Sequence, residues 1–353
     1  MMSDKLKRML ETRTIEASAP CRIDMGGTLD IPTFYYPLRH LKPCTFNIAL
    51  DLKTRVRLRA YDKGRVRISS TGFNDAEFAA DTAPFDQPLG LMFATAAYFN
   101  AQGVHIEIDS QSPIRSALGG SSVAVVALVG AFSYLMAGGE LRRGFSRRAT
   151  ALLAHQIEQS VAGVPCGIQD QLAATYGGVN AWHLQGHPDR TVFRRKTVIR
   201  KNAHRALERH ILIAYCGKPH ISANINSRWV KQFLSGKYRD LWAEIIACTR
   251  QFVDALADHD FTLAAMLMNN ETAIRKKMTP KVLDRLGHKL VDIAVQNRCG
   301  ARFTGAGGGG CIWALGEIEN IDILKPLWEE TLSSRDEARL LDVAIDSKGL
   351  VVR

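Results

Sequence analysis

Five of the six residues from Gly305 to Gly310 are glycine, interrupted only by Ala306 and followed by Cys311. Such a run makes a poor helix or strand interior, because glycine loses more backbone freedom on folding than any other residue. A flexible linker is the ordinary alternative. It fits badly here, since Phe303 before the run and Ile312-Trp313-Ala314 after it flank it like strands. The run therefore reads as backbone that must pass close to a ligand or to another strand.

A second glycine turn, Pro113-Ile-Arg-Ser-Ala-Leu-Gly-Gly-Ser-Ser122, lies between a strand pattern at Val104–Ile108 and an apolar helix pattern at Val123–Ala137. Glycines allow close approach to a ligand, and free N–H groups at a helix N-terminus favour a phosphate. Serine hydroxyls there could reach a metal carried by the phosphates. A serine-capped helix entry explains the segment equally well. It is neither a Walker A loop, lacking Gly-Lys-Ser/Thr, nor a Rossmann fingerprint. Gly163-Val-Pro-Cys-Gly-Ile-Gln-Asp-Gln171 follows a helix bearing Glu158. It places Asp170 either in a constrained functional turn or at a helix N-cap. Near the start, Ala19-Pro-Cys-Arg-Ile-Asp-Met-Gly-Gly-Thr-Leu-Asp30 offers Arg22 as a partner for a carboxylate or phosphate, or as a plain surface arginine.

The rest of the chain organises these motifs. Thr54–Ala60 and Arg65–Ser69 alternate around the turn Asp62-Lys63-Gly64 and predict a β-hairpin. Helices are expected over Leu89–Phe99, Val123–Ala137 and Arg148–Val161. After a strand at Ile211–Tyr215 come helical patterns at Asn224–Leu234, Leu241–Ala257, Phe261–Lys276 and Lys281–Asn297. Two glycine-flanked strands, a helix near Ile323–Ser333 and a last strand near Arg339–Ile345 close the chain. Sheet first and helices second is an α+β pattern of two domains, 1–200 and 201–353, joined near 185–208.

Charge and cysteines narrow the class. The net charge is +11, yet its clusters are short: Arg142, Arg143, Arg147 and Arg148, then Arg194, Arg195, Lys196, Arg200 and Lys201. No aromatic platform interleaves with them, which argues against nucleic acid as a partner. Positive charge still steers polyanions such as ATP. Met1–Glu16 has no apolar core of a secretory signal, and Val123–Ala137 is shorter than the about 20 residues that span a bilayer. Seven cysteines without a CxxC spacing suit reduced thiols in a cytoplasmic protein that has no membrane partner.

In this order and spacing the motifs resemble the GHMP kinase family of galactokinase, homoserine, mevalonate and phosphomevalonate kinases. The resemblance runs from about Ser18 to Ala314. Ala19-Pro20-Cys21-Arg22 is similar to the family's Ala-Pro-Gly-Arg. Pro113 to Ser121 is similar to Pro-x-x-x-Gly-Leu-Gly-Ser-Ser, and Gly305 to Cys311 to Gly-Ala-Gly-x-Gly-Gly-Cys. The implied fold is an N-terminal ribosomal-S5-domain-2-like domain with a C-terminal ferredoxin-like helical and β domain. The implied cofactors are ATP and Mg²⁺.

The resemblance also implies roles. Asp170 would take or orient the proton of the substrate hydroxyl, with Arg22 beside it. Pro113, Ala117, Leu118, Gly119, Gly120, Ser121 and Ser122 would cradle the phosphates. Ser121 and Glu158 would hold the metal, with Ser122 as the alternative serine. Asp30, Gly167, Gly305, Gly307 and Gly308 would face the substrate. The Asp170 motif looks like the heptose 7-phosphate kinase and galactokinase version, so the implied acceptor is a sugar or sugar phosphate, phosphorylated at the anomeric hydroxyl. Lys218, His220, Arg228 and Lys231 could bind a distal phosphate, although a solvated helix start explains each of them better. Departures are Cys21 for glycine, Ala117 and Gly120 in the phosphate loop, Arg302 where lysine is common, and a shortened N-terminal motif. A galactokinase or fucokinase is the near alternative, and a non-catalytic regulator that binds sugar and ATP the distant one. Relatives of this fold occur as monomers and homodimers.

Overall fold

The computed structural model describes residues 9–139, 146–187, 191–218 and 223–353. Arg142, Arg143 and His220 lie outside them. Two sheets organise the chain. The larger has the path β12-β1-β2-β5-β3-β4, built from β1 (Ile15–Met25), β2 (Cys44–Ala60), β3 (Arg65–Ser70), β4 (Ala76–Ala79), β5 (Val104–Ser110) and β12 (Val351–Val352). β6 (Val179–Leu184) pairs with the first part of β2, and β7 (Phe193–Ile199) extends β6. β7 therefore occupies part of the stretch expected as a connection between domains. The smaller sheet is antiparallel, in the order β11 (Arg339–Leu340), β8 (Ile211–Tyr215), β10 (Cys311–Leu315) and β9 (Gly300–Phe303).

The expected hairpin between β2 and β3 does not form. β5 lies between them, antiparallel to β2 and parallel to β3. The turn at 61–64 leaves room for it, because Tyr61 N–H donates to Gly103 O and Gly103 N–H donates to Arg65 O. An alternating pattern with a tight turn fixes the faces of two strands but not their neighbours. The strand expected near Arg339–Ile345 is shorter, being Arg339–Leu340 with one isolated bridge from Ile345 to Leu50, and it is not the last, since β12 follows it.

The helix Gly120–Met136 packs on β1 and β2 and is buried along most of its length. That explains its nearly continuous apolar sequence. Arg147–Val161 and Gln169–Tyr176 lie against it. Ser146 caps the former by accepting from Ala149 N–H. Over the smaller sheet, Phe261–Met278 covers β9 and packs on Arg239–Ala257. A core around Trp229, Trp242 and Trp328 joins these helices to Arg285–Gln296 and Ile318–Leu332. Among the described residues no helix is long and apolar enough to cross a membrane.

The two glycine loops meet where the sheets adjoin. Cys311 N–H donates to Ser116 O at 2.9 Å, and Gly310 O accepts from Cys216 N–H at 2.9 Å. Gly310 has φ +82°, and a Cβ there would stand 2.4 Å from Ser116 O. Gly310→Ala therefore combines left-handed strain with a clash against backbone. We expect it to cost about 2 kcal/mol or more of stability, read as a lowered thermal midpoint. An unchanged midpoint would mean that the contact between the loops is not as close as it stands.

Candidate active site

A cleft of about 470 Å³ runs between these loops. Arg22, Asp30, Pro113, Ala117, Gly119, Gly120, Ser121, Ser122, Glu158, Gly167, Asp170 and Gly305 all line it, so most residues singled out in the sequence converge there. Six do not line it. Leu118 is buried, and its carbonyl accepts from Arg22 N–H. Gly307 and Gly308 turn inward and donate to Thr304 O and Val282 O. Lys218, Arg228 and Lys231 are exposed, and none of the three lines the cleft.

Arg22 and Asp170 form the centre. β1 presents Arg22, whose Nη2 and Nε lie 2.7 and 2.8 Å from Asp170 Oδ1. Arg22 Nη1 donates to Ala117 O at 2.7 Å, which ties the first glycine loop to the pair. Asp170 sits in the first turn of Gln169–Tyr176, with 21% of its side chain accessible. Burial raises its pKa, while the Arg22 guanidinium pulls it back down and Asp24 adds to the rise. Burial also works against the charge on Arg22, but Asp170 and Asp24 outweigh it and raise its pKa. The pair is a carboxylate held by a fixed cation beside an open cleft.

Glu158 forms a second centre. Ser122 Oγ donates to its Oε2 at 2.7 Å and Ser121 Oγ to its Oε1 at 3.3 Å, and Gln171 Nε2 also donates to Oε2. Burial pushes its pKa up to about 7 against these three donors. A buried carboxylate with two hydroxyls beside it is an all-oxygen donor set suited to a hard divalent cation. The proton it retains near neutrality marks where positive charge is wanted. Both serines line the cleft, Ser121 the more exposed of the two and Ser122 buried. Gly119, at φ +86°, starts the helix Gly120–Met136, whose first-turn amides have no intrahelical partner and suit a phosphate.

Two side chains mark the other end. Asp30 is buried, and its Oδ2 accepts from Gln169 N–H at 2.8 Å. Its Oδ1 is buried without a partner, as is Asn226 Oδ1, and both residues line the cleft. Burial raises the Asp30 pKa to about 6, with Asp170 and Asp24 adding to the rise and the Gln169 amide opposing it. The sequence reading missed Asn226, which no glycine motif accompanies. It also missed an apolar arm of Phe73, Pro88, Leu91, Met92, Ile108 and Ile114 beyond the first loop. The exposed Phe73 and Ile114 were the only available signal, and exposure is not legible in a sequence.

Residues 89–178 match the family profile described as the GHMP kinases N terminal domain. The mevalonate kinase of Pyrococcus abyssi is 25% identical over 331 residues, covering 86% of this chain and 89% of that protein. A D-glycero-D-manno-heptose 1-phosphate kinase from Bacteriodes thetaiotaomicron superposes with a TM-score of 0.71 at 16% identity, covering 96% of this chain and 98% of that one. Lactococcus lactis galactokinase, solved with galactose, also gives 0.71, at 18% identity with 99% and 98% covered. Residues 89–178 thus match a GHMP kinases N-terminal domain, and over nearly its whole length the chain is similar to GHMP kinases and shares their two-domain α+β fold.

Proposed function

We propose that this chain transfers the γ-phosphoryl group of ATP to a hydroxyl of a sugar or sugar phosphate, at the anomeric position. When bound, Mg·ATP supplies the phosphoryl group and the cation that neutralises it. The first-turn amides of Gly120–Met136 would receive the phosphates, and Ser121 and Glu158 would hold the cation. Phe73, Leu91 and Met92 would take the adenine. Asp170 would accept the proton of the acceptor hydroxyl, held in place by Arg22. Arg22 would also oppose negative charge growing on the attacking oxygen.

One observation carries the choice of acceptor: the buried, unpartnered Oδ1 of Asp30 in the cleft, with Asn226 Oδ1 as a second free acceptor. Unpaired buried oxygens ask for donors, and sugar hydroxyls are donors. A second reading is an acceptor like mevalonate, favoured by the mevalonate kinases among the sequence relatives. Its carboxylate would meet Asp30, Asp170 and Glu158. Among the described lining residues, the cations are Arg22, already paired with Asp170, and Arg115 on the first glycine loop.

Asp30→Asn tests the sugar reading. We expect KM for the sugar to rise about 10–100-fold, the worth of a hydrogen bond to a charged group, with nucleotide affinity unchanged. Steady-state rates over a range of sugar concentrations measure it. An unchanged KM would remove Asp30 from the acceptor site.

A further inference from the structure

Behind the cleft lies a line of buried charges that no step above uses. Asp24, Glu271, Arg275 and Arg302 all have side chains with no solvent exposure. Arg302, on β9, reaches Asp24 Oδ2 at 3.0 Å through Nη1 and Glu271 Oε2 at 2.9 Å through Nε. Glu271 Oε1 accepts from Arg275 Nε at 2.8 Å, one turn along the same helix. Arg275 lies over the rings of Trp229 and Trp242, at 4.7 and 4.8 Å.

Each end of this line grips a wall of the cleft. Asp24 Oδ1 accepts from Gly305 N–H at 2.6 Å and stands 3.5 Å from Arg22 Nη1. At the other end Arg275 donates to Thr28 Oγ1 at 2.9 Å and to Gly27 O at 2.7 Å. Thr28 lines the cleft two residues before Asp30, in a left-handed conformation (φ +76°) unusual for a β-branched residue. Such strain persists only where the surroundings impose it.

With Arg22 and Asp170 the set is balanced, three arginines against three carboxylates. A buried ionic network is a poor source of stability, since a well-packed apolar core of the same volume often does as well or better. Its yield here is position.

We propose that Asp24, Arg302, Glu271 and Arg275 form a positioning relay that sets Gly305, Arg22 and the Thr28–Asp30 turn relative to Asp170. Glu271 and Arg275 lie outside the cleft lining, yet turnover depends on them. The dependence on turnover rests on the kinase reading, while the positioning of Gly305 does not.

The test uses two variants that remove buried charge. Asp24→Asn removes the charge at the end beside Gly305 and Arg22, and Glu271→Gln with Arg275→Gln removes one charge of each sign at the far end. Amide hydrogen exchange is followed over residues 303–306, with 104–110 on β5 as an internal reference. Leu58→Ala, in the separate core under the larger sheet, supplies a destabilised control. We expect exchange at 303–306 to rise about tenfold in both relay variants, with the reference and the control unchanged there. With a turned-over acceptor, kcat should fall about tenfold or more while nucleotide Kd stays within about twofold. Arg302→Lys, which keeps the charge but loses the fork, should show a smaller change of the same kind. It carries the test if the other variants do not fold.

Unchanged exchange at 303–306, or an equal rise in the control, overturns the relay. Raised exchange with undiminished kcat overturns its link to turnover. A wild-type protein that phosphorylates nothing refutes the kinase reading, and the exchange data still decide the relay.

Discussion

Asp170→Asn should abolish most phosphoryl transfer, lowering kcat about 10²–10⁴-fold, the usual worth of a positioned general base. Asparagine keeps the shape and can still accept from Arg22, whose Nη2 and Nε lie within 2.8 Å of Asp170 Oδ1. What it loses is the charge that takes the proton. The first-turn amides of Gly120–Met136 and the Glu158 centre are untouched, so nucleotide affinity should stay within a few-fold. Stability should fall somewhat, because buried Arg22 keeps only Asp24, at 3.5 Å, as a charged partner. ADP release and a nucleotide titration on the same preparation check both halves. A folded variant that still turns over within tenfold of wild type would take Asp170 out of the chemistry.

Glu158→Gln should have the second largest effect, and on a different quantity. The amide can still meet Ser121, Ser122 and Gln171, but it offers no charge to a cation. We expect the Mg²⁺ concentration for half-maximal rate to rise about 10–100-fold, with kcat lowered as well. In the wild type the same requirement should ease as pH rises through about 7, where Glu158 loses its proton. In the variant that part of the pH dependence should vanish. Stability moves the other way. A carboxyl whose folded pKa lies above its unfolded value favours the folded state at low pH, and that help is lost as pH rises toward 7. At pH 8 without metal, ionised Glu158 therefore burdens the fold by at most about 3 kcal/mol, and glutamine should relieve much of it. A variant with a lower melting point at pH 8, and an unchanged Mg²⁺ requirement, would rule out both roles.

Most of the cleft was legible because glycine announces backbone constraints directly. Gly305, Gly307, Gly308, Gly309 and Gly310 all take positive φ, and Gly119 starts a helix from the left-handed region. Side chains fixed by local sequence followed: Asp170 in the first turn of its helix, and Glu158 on the facing turn of Arg147–Val161. The pairing of β3 was not legible, since its alternation suits β5 as well as β2, and the choice depends on a strand that arrives some forty residues later. The charges behind the cleft were least legible. Arg302 and Asp24 are 278 residues apart, and Arg275 and Thr28 are 247 apart. Nothing local distinguishes a buried arginine from a surface one until the partners are known. Asn226 and Phe73 were missed for the same reason, since their meaning lies in which cleft they enter.

The most direct test of the central claim is phosphorus NMR of the wild-type protein with ATP and Mg²⁺. One tube would hold a panel of sugars and sugar phosphates, among them heptose 7-phosphate, mannose and galactose, and a second tube mevalonate. We predict a new sugar 1-phosphate signal that grows with ADP in the first tube, absent with Asp170→Asn, and no product in the second. Phosphorylation of mevalonate alone would contradict the sugar reading and hand the site to an acidic acceptor.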